Sequence, residues 1–261
     1  MQPDADIFFE KAAGVATITI NRPRAYNAVR EQTFRELMEA FTDAADDGTI
    51  GVIVLTGAGG NFSSGGDISW EQGFSPASGR HIARLTGQLS YIMRTCGKPI
   101  IAKVRGYCIA AGNELNMLCD LTIAAETARF GQAGTRVGSA PIWWGTQMLP
   151  RTVGEKKARE IVYLSRQYDA ATAEGMGWVN KVVPDDELDA EVEAWCQELL
   201  KRSPQALRMA KISLNSESDA LWSSIVHGQE MLSLTYGSDE FREGMQSFLE
   251  KRKPDFDRYR I

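Results

Sequence analysis

The sequence predicts an α/β core followed by a helical C-terminal region, and three features carry that reading. Apolar runs of strand length recur as far as Pro184 and end at glycine or proline. Amphipathic segments with helical spacing fill the intervals between them. Beyond Pro184 every apolar pattern has the helical period, so the core mixes strands and helices while the tail holds helices alone.

"IFFEKAAG" and "VATITINRP" alternate apolar with polar residues and read as two strands, the second stopped by Pro23. In "REQTFRELMEAFTDAADD" Phe34, Leu37, Met38 and Phe41 share one helical face. "IGVIVLTGAGG" is a continuous apolar run, as expected of a strand covered on both faces. "NFSSGGDISW" and "EQGFSPASGR" are small and polar and read as loop, before a helix in "HIARLTGQLSYIMRTC". "KPIIAKVRGYCIAAG" reads as one more buried strand, followed by a helix over 112–118 and a strand in "DLTIAAE". Helices near 145–152 and in "EKKAREIVYLS" precede the short strand "VNKVVP". The tail then gives "DELDAEVEAWCQELLKR", "QALRMAKISLN" and a long helical stretch from Ala220 to Arg252. The expected organisation is a core over residues 1–195 and a helical region over 196–261.

Composition narrows the function. With 43% hydrophobic and 24% charged residues the 261-residue chain is ordinary for a globular enzyme-sized domain, which sets aside disorder and coiled coil. A net charge of −5 without a basic block argues against nucleic-acid binding. No window reaches the roughly 18 apolar residues of a membrane helix. "MQPDADIFFEKAAG" carries acids early and no apolar leader, and Cys96, Cys108, Cys119 and Cys196 have no CxxC spacing. A cytoplasmic location is expected. Two histidines, His81 and His227, make a multi-histidine metal site improbable, and no metal is expected.

Two glycine-rich stretches raise the question of phosphate loops. "GAGGNFSSGGD" follows a strand but has no GxxxxGK[ST] and no acid at the ribose-binding distance. A plain tight turn explains it locally. A second use of small residues is also open: in "SSGGD" and "IAAGNE" the chain runs from a strand through small residues into a helix, whose first N–H groups lack intrahelical acceptors. Two such groups aimed at one point would form an oxyanion hole. Glu114, one helical turn after Ala111, would face the same ligand.

"NRPRAYNAV", "VIVLTGAGGNFSSGGDI", "KPIIAKVRGYCIAAGNELNMLCDLTIAAETARFGQAG", "VGEKKAREIVYLSRQYDAATAEGMGWVNKVV" and "SPQALRMAK" resemble the crotonase (enoyl-CoA hydratase/isomerase) superfamily along nearly the whole chain. The resemblance implies a spiral of ββα units, a helical C-terminal region that builds trimers or dimers of trimers, and coenzyme A thioesters as substrates, with no tightly bound cofactor. It also implies that the thioester oxygen lies between the N–H groups of Gly66 and Ala111, and that Glu114 moves the proton of an enolate intermediate.

One departure bears on the reaction. Enoyl-CoA hydratases carry a second glutamate two residues after "GQ", where this chain has Gly134. "CDLTIAA", "FGQAGTRVGS", "SRQYDA" and "EKRKPDFDRY" are similar to the dihydroxynaphthoyl-CoA synthases and the cyclic β-oxoacyl-CoA ring hydrolases. In the synthases a glycine stands at this position and bound bicarbonate supplies the missing carboxylate. Asp67 and Ser139 match polar positions near that branch's active site and Tyr259 lies near its C-terminal tyrosine region, whereas Glu114 stands where the synthases are apolar. The reading is therefore water addition to a cyclic acyl-CoA, by ring-opening hydrolysis or by hydration, with Glu114 as acid and base. A fatty-acid-type hydratase or isomerase, a dihydroxynaphthoyl-CoA synthase and a non-catalytic CoA- or RNA-binding relative are the alternatives.

Several residues have both a functional and a structural reading. Asp67 is an active-site acid or the cap of the helix after Gly66, and Ser139 an active-site hydroxyl or a turn residue. Trp143 and Trp144 would flatten the acyl pocket or belong to the core. Asn27 would brace the turn near the CoA, Arg24 would meet CoA phosphates or solvent, and Ser64, Ile68 and Gly134 would line the substrate site.

Overall fold

The computed structural model describes residues 5–260; residues 1–4, the start of the N-terminal stretch read above as free of a leader, and residue 261 lie outside it. In chain order the elements are β1 (Ile7–Ala12), β2 (Val15–Ile20), α1 (Glu31–Asp46), β3 (Val52–Gly57), α2 (Ile68–Glu71), α3 (Pro76–Thr95), β4 (Ile100–Val104) and β5 (Tyr107–Ile109). They continue with α4 (Ala111–Leu118), β6 (Leu121–Ala125), β7 (Arg129–Gly131), α5 (Gly145–Val153), α6 (Glu155–Leu164), β8 (Gln167–Asp169), α7 (Ala170–Gly175) and β9 (Lys181–Val183). The tail comprises α8 (Leu188–Leu200), α9 (Pro204–Asp219), α10 (Trp222–Thr235) and α11 (Asp239–Leu249).

Six strands form one sheet in the order β1-β2-β3-β4-β6-β9, parallel except for the β1–β2 hairpin. A smaller sheet, β5-β7-β8, lies beside it. The continuous apolar run of β3 is explained by covering on both faces. Ile53 and Leu55 point into the main core with Leu37 and Phe41 of α1, while Val52 and Val54 meet Leu188, Val192 and Cys196 of α8. Each large aliphatic side chain buried this way contributes roughly 1.5–3 kcal/mol relative to exposure. Residue 195, the expected limit of the core, lies inside α8, whose apolar face packs on the sheet.

Three local expectations are corrected. The stretch 71–80 is not all loop: α3 begins at Pro76, with Ser75 as its N-cap and Ser78 completing a capping box. The stretch 98–112 is two strands, because Gly106 at φ +52° turns the chain out of the large sheet and into the small one. The stretch 220–252 is two helices, parted at Gly237, where φ is +80°.

Candidate active site

The two small-residue turns end on one cavity of about 430 Å³, whose wall includes Gly66, Ala111 and Glu114. Ala111 is the first residue of α4, so its N–H has no intrahelical acceptor. Gly66 lies between Val29–Gly65 and Asp67–Val29 backbone bonds without joining either. Among the described residues neither N–H has an acceptor. Ala110, just before α4, is held at φ 51°, ψ −123°, a conformation that costs a non-glycine residue about 1–3 kcal/mol.

Neighbouring turns fix the first strand-to-helix junction. Tyr26 and Asn27 both adopt left-handed backbone, and the buried Asn27 amide donates to the carbonyls of Ala58 and Asn61 at 2.8 and 2.6 Å. Its Oδ1 accepts from the Arg22 N–H at 2.9 Å, so Asn27 is a brace and not a cavity residue. Arg22 in turn pairs with Asp67 at 2.8 Å. Asp67 also accepts from the N–H groups of Ser69 and Trp70, and so caps α2.

Glu114 is 6% exposed, and its Oε1 has no hydrogen-bond partner. Burial pushes its carboxyl well above the ordinary range, against the opposing pull of the Gly145 and Trp143 N–H groups; the charge of Glu71 adds to the rise. Gln132 is also buried with an unpartnered side-chain amide. It lies close by: a Cβ on Gly145 would come within 3.0 Å of Glu114 Oε1 and 3.3 Å of Gln132 Nε2. Unsatisfied buried polar groups of this kind are costly in a core and are ready to meet a ligand or water.

Ser64, Asp67, Ile68, Gly134, Ser139 and Trp143 line the same cavity. Trp143 makes an apolar wall with Phe34 and Ile82, its indole N–H donating to Ser90 at 2.8 Å. Three further residues do not line it. Trp144 is a core residue, 1% exposed, stacked under Arg94 and beside Trp222, and does not reach the cavity. Tyr259 lies in the C-terminal 3-10 turn with Arg258 over its ring, outside the cavity wall. Arg24 is in the turn whose Ala25 and Tyr26 line the cavity, but it does not itself line it. At Gly134 a Cβ would meet the Ala140 backbone at 2.9–3.1 Å, so the 139–143 loop occupies the room a side chain there would need.

Sequence reasoning missed Glu71 and Tyr236. Glu71 ends α2 in a stretch read as loop; its carboxylate lies against Gly66, where a Cβ would overlap it. Burial, with the nearby Asp67 charge, raises its carboxyl to about 7. Tyr236 follows α10 and packs edge-on against Phe74 and Phe241. Its phenol is raised by burial and by the charges of Glu71 and Glu114. The only sequence signal for Glu71 was an acid five residues after Gly66; for Tyr236 there was none.

Residues 10–259 match the enoyl-CoA hydratase/isomerase family. The chain belongs to that family. Solved structures agree in fold. An enoyl-CoA hydratase from Mycobacterium avium subsp. paratuberculosis K-10 is 28% identical with a TM-score of 0.87, covering 97% of this chain and 99% of its own. An enoyl-CoA hydratase/isomerase from Xanthobacter autotrophicus Py2 is 30% identical with a TM-score of 0.85, covering 95% and 97%. A probable enoyl-CoA hydratase from Mycobacterium thermoresistibile is 34% identical with a TM-score of 0.78, covering 90% and 98%. Enoyl-CoA hydratase/isomerase-type acyl-CoA chemistry is therefore the setting for the cavity, and the crotonase fold expected from the sequence is the one present. Among the described residues no helix is long and apolar enough to cross a membrane, and no cluster of metal-ligating side chains occurs.

Proposed function

We propose that this protein adds water to a compact, cyclic acyl-CoA through a thioester enolate. One observation carries the reading: two N–H groups without acceptors among the described residues, on Gly66 and Ala111, share a cavity wall with Glu114, whose Oε1 has no hydrogen-bond partner. Attack at Cβ drives charge onto the thioester oxygen, where fixed N–H dipoles in a dry site stabilise it; loss of one such donor typically costs about 3–4 kcal/mol of barrier. Glu114, raised by burial, is a carboxylate basic enough to take a proton from water near neutral pH. In the hydration version the water oxygen bonds to Cβ of a cyclic enoyl-CoA. In the hydrolytic version hydroxide adds to a ring ketone, and the C–C bond breaks to leave the same enolate.

The apolar wall of Trp143, Phe34 and Ile82 favours a flat ring over a long flexible chain. The CoA moiety would pass the turn holding Ala25 and Tyr26, with Arg24 near its phosphates. Exposed Met209, Ile212, Leu214, Met231 and Leu234 on α9 and α10 support self-association, which we assign to a trimer or a dimer of trimers. Four free cysteines suit a cytoplasmic setting. Bicarbonate beside Gly134 is not required by this reading.

Incubation with cyclohexenoyl-CoA and with 2-oxocyclohexanecarboxyl-CoA tests it by mass spectrometry. Both products gain one water, and only ring opening releases a free carboxylate. Crotonyl-CoA consumed far faster than either ring would overturn the cyclic assignment, and no turnover of any acyl-CoA would overturn water addition itself.

A further inference from the structure

The carboxylate absent at Gly134 has a counterpart across the cavity. We propose that Glu71 is a second catalytic acid, which in its protonated form returns a proton to the α-carbon of the enolate made with Glu114; this rests on the water-addition reading above. Three observations place it there. Glu71 lines the same cavity as Glu114, Gly66 and Ala111. Its carboxylate lies in the space that Gly66 leaves by having no Cβ. Among the described residues no hydrogen bond or ion pair engages it, whereas Asp67, four residues earlier, has both its oxygens occupied by the α2 N–H groups and Arg22.

The charges around Glu71 decide its form. Asp67 approaches from its own element, Glu114 from α4 and Tyr236 from the end of α10, while α11 contributes the apolar Met245 and Phe248. Among the described residues no lysine, arginine or histidine lines the wall. Two raised carboxylates in one cavity without a cationic side chain among its described lining are not both fully ionised at neutral pH, and a proton is shared between them. Burial and Asp67 lift Glu71 to about 7, so about half of it carries a proton at neutral pH, and Glu114, also raised, shares that proton with it. An ionised Glu71 would also repel the oxygen of the enolate next to Gly66.

The step balances. Water loses a proton to Glu114 as its oxygen bonds to Cβ, and the C=C electrons move onto the thioester. The enolate then reforms C=O as its α-carbon takes the proton from Glu71. Glu71 is left ionised and Glu114 protonated, and proton exchange with solvent resets both.

The test compares wild type, Glu71→Gln and Glu71→Asp in two measurements. With cyclohexenoyl-CoA, Glu71→Gln should lower kcat about 100-fold with KM within a few-fold, and Glu71→Asp should recover part of it. Wild-type kcat should fall above about pH 7, as Glu71 loses its proton. Binding of acetoacetyl-CoA, an enolate mimic, should weaken above that pH in wild type relative to Glu71→Gln. Glu71→Gln within threefold of wild type, with the same pH profiles, would overturn the proposal and leave water addition intact. Lost turnover with an unchanged binding profile would mark a packing role and overturn it too. Wild type inert on every acyl-CoA, but with acetoacetyl-CoA binding that still tracks Glu71, would remove water addition and keep Glu71 as the acid facing the enolate. Failure of wild type to bind acetoacetyl-CoA would overturn both.

Discussion

The turns at Gly66 and Ala111 do the same thing with different means. Each delivers an N–H without an acceptor to one cavity, and each is followed by an acid. The Ala111 turn leads into an eight-residue helix with no side-chain cap and stores its strain in Ala110. The Gly66 turn leads into a four-residue helix that Asp67 caps and Arg22 anchors. Asp67 has a cation beside it, whereas Glu114 and Glu71 have none and are raised. A carboxylate near this cavity is thus structural where a cation accompanies it and available for proton transfer where none does.

The comparison is broken most severely at Glu114. Glu114→Gln keeps the shape but not the base, and kcat should fall by about 10³-fold while circular dichroism stays native. Gly66→Ala is next: its methyl group would collide with the Glu71 carboxylate, and a displaced N–H should cost about 10²-fold in kcat, with weaker acetoacetyl-CoA binding. Asp67→Ala removes a cap and an ion pair and should lower stability by about 1 kcal/mol in urea melts. It also removes the negative charge that raises Glu71, so the alkaline fall in kcat should move to lower pH.

Stability should carry the same signature. The folded protein holds the Glu71 proton up to about 7, whereas an unperturbed glutamate releases it near 4.5. Between those values the unfolded chain binds fewer protons at this group, so its contribution to stability should fall as pH rises and level off above about 7. Thermal melts of Glu71→Gln should show a shallower fall over that window. Least in size, Ala110→Gly should relieve the strain before α4 and raise the melting temperature slightly, by less than about 1 kcal/mol of stability, while loosening the Ala111 N–H and lowering kcat a few-fold.

Trp143 and Trp144 show where sequence reading reaches its limit. Adjacent and identical, they carry the same pair of readings, pocket wall or core, in the sequence, yet Trp143 faces the cavity and Trp144 the core, with φ 68° at Trp144 turning the chain between them. Period and composition do not report a left-handed residue in a loop. The aromatic pairing of Tyr236 with Phe74 likewise joins the end of α10 to the segment before α3, a meeting no local pattern encodes.

Short-range physics made the rest legible. Apolar runs ended by glycine or proline fixed the strands, and small residues before α4 marked the turn carrying Glu114, because these signals depend on neighbours within one or two turns of chain. Tertiary structure alone decided which acids share the cavity, that the Ala140 backbone fills the room beside Gly134, and that Glu71 rests against Gly66. Those facts depend on which faces of separate elements meet, and a carboxylate's proton is set by whatever surrounds it in space.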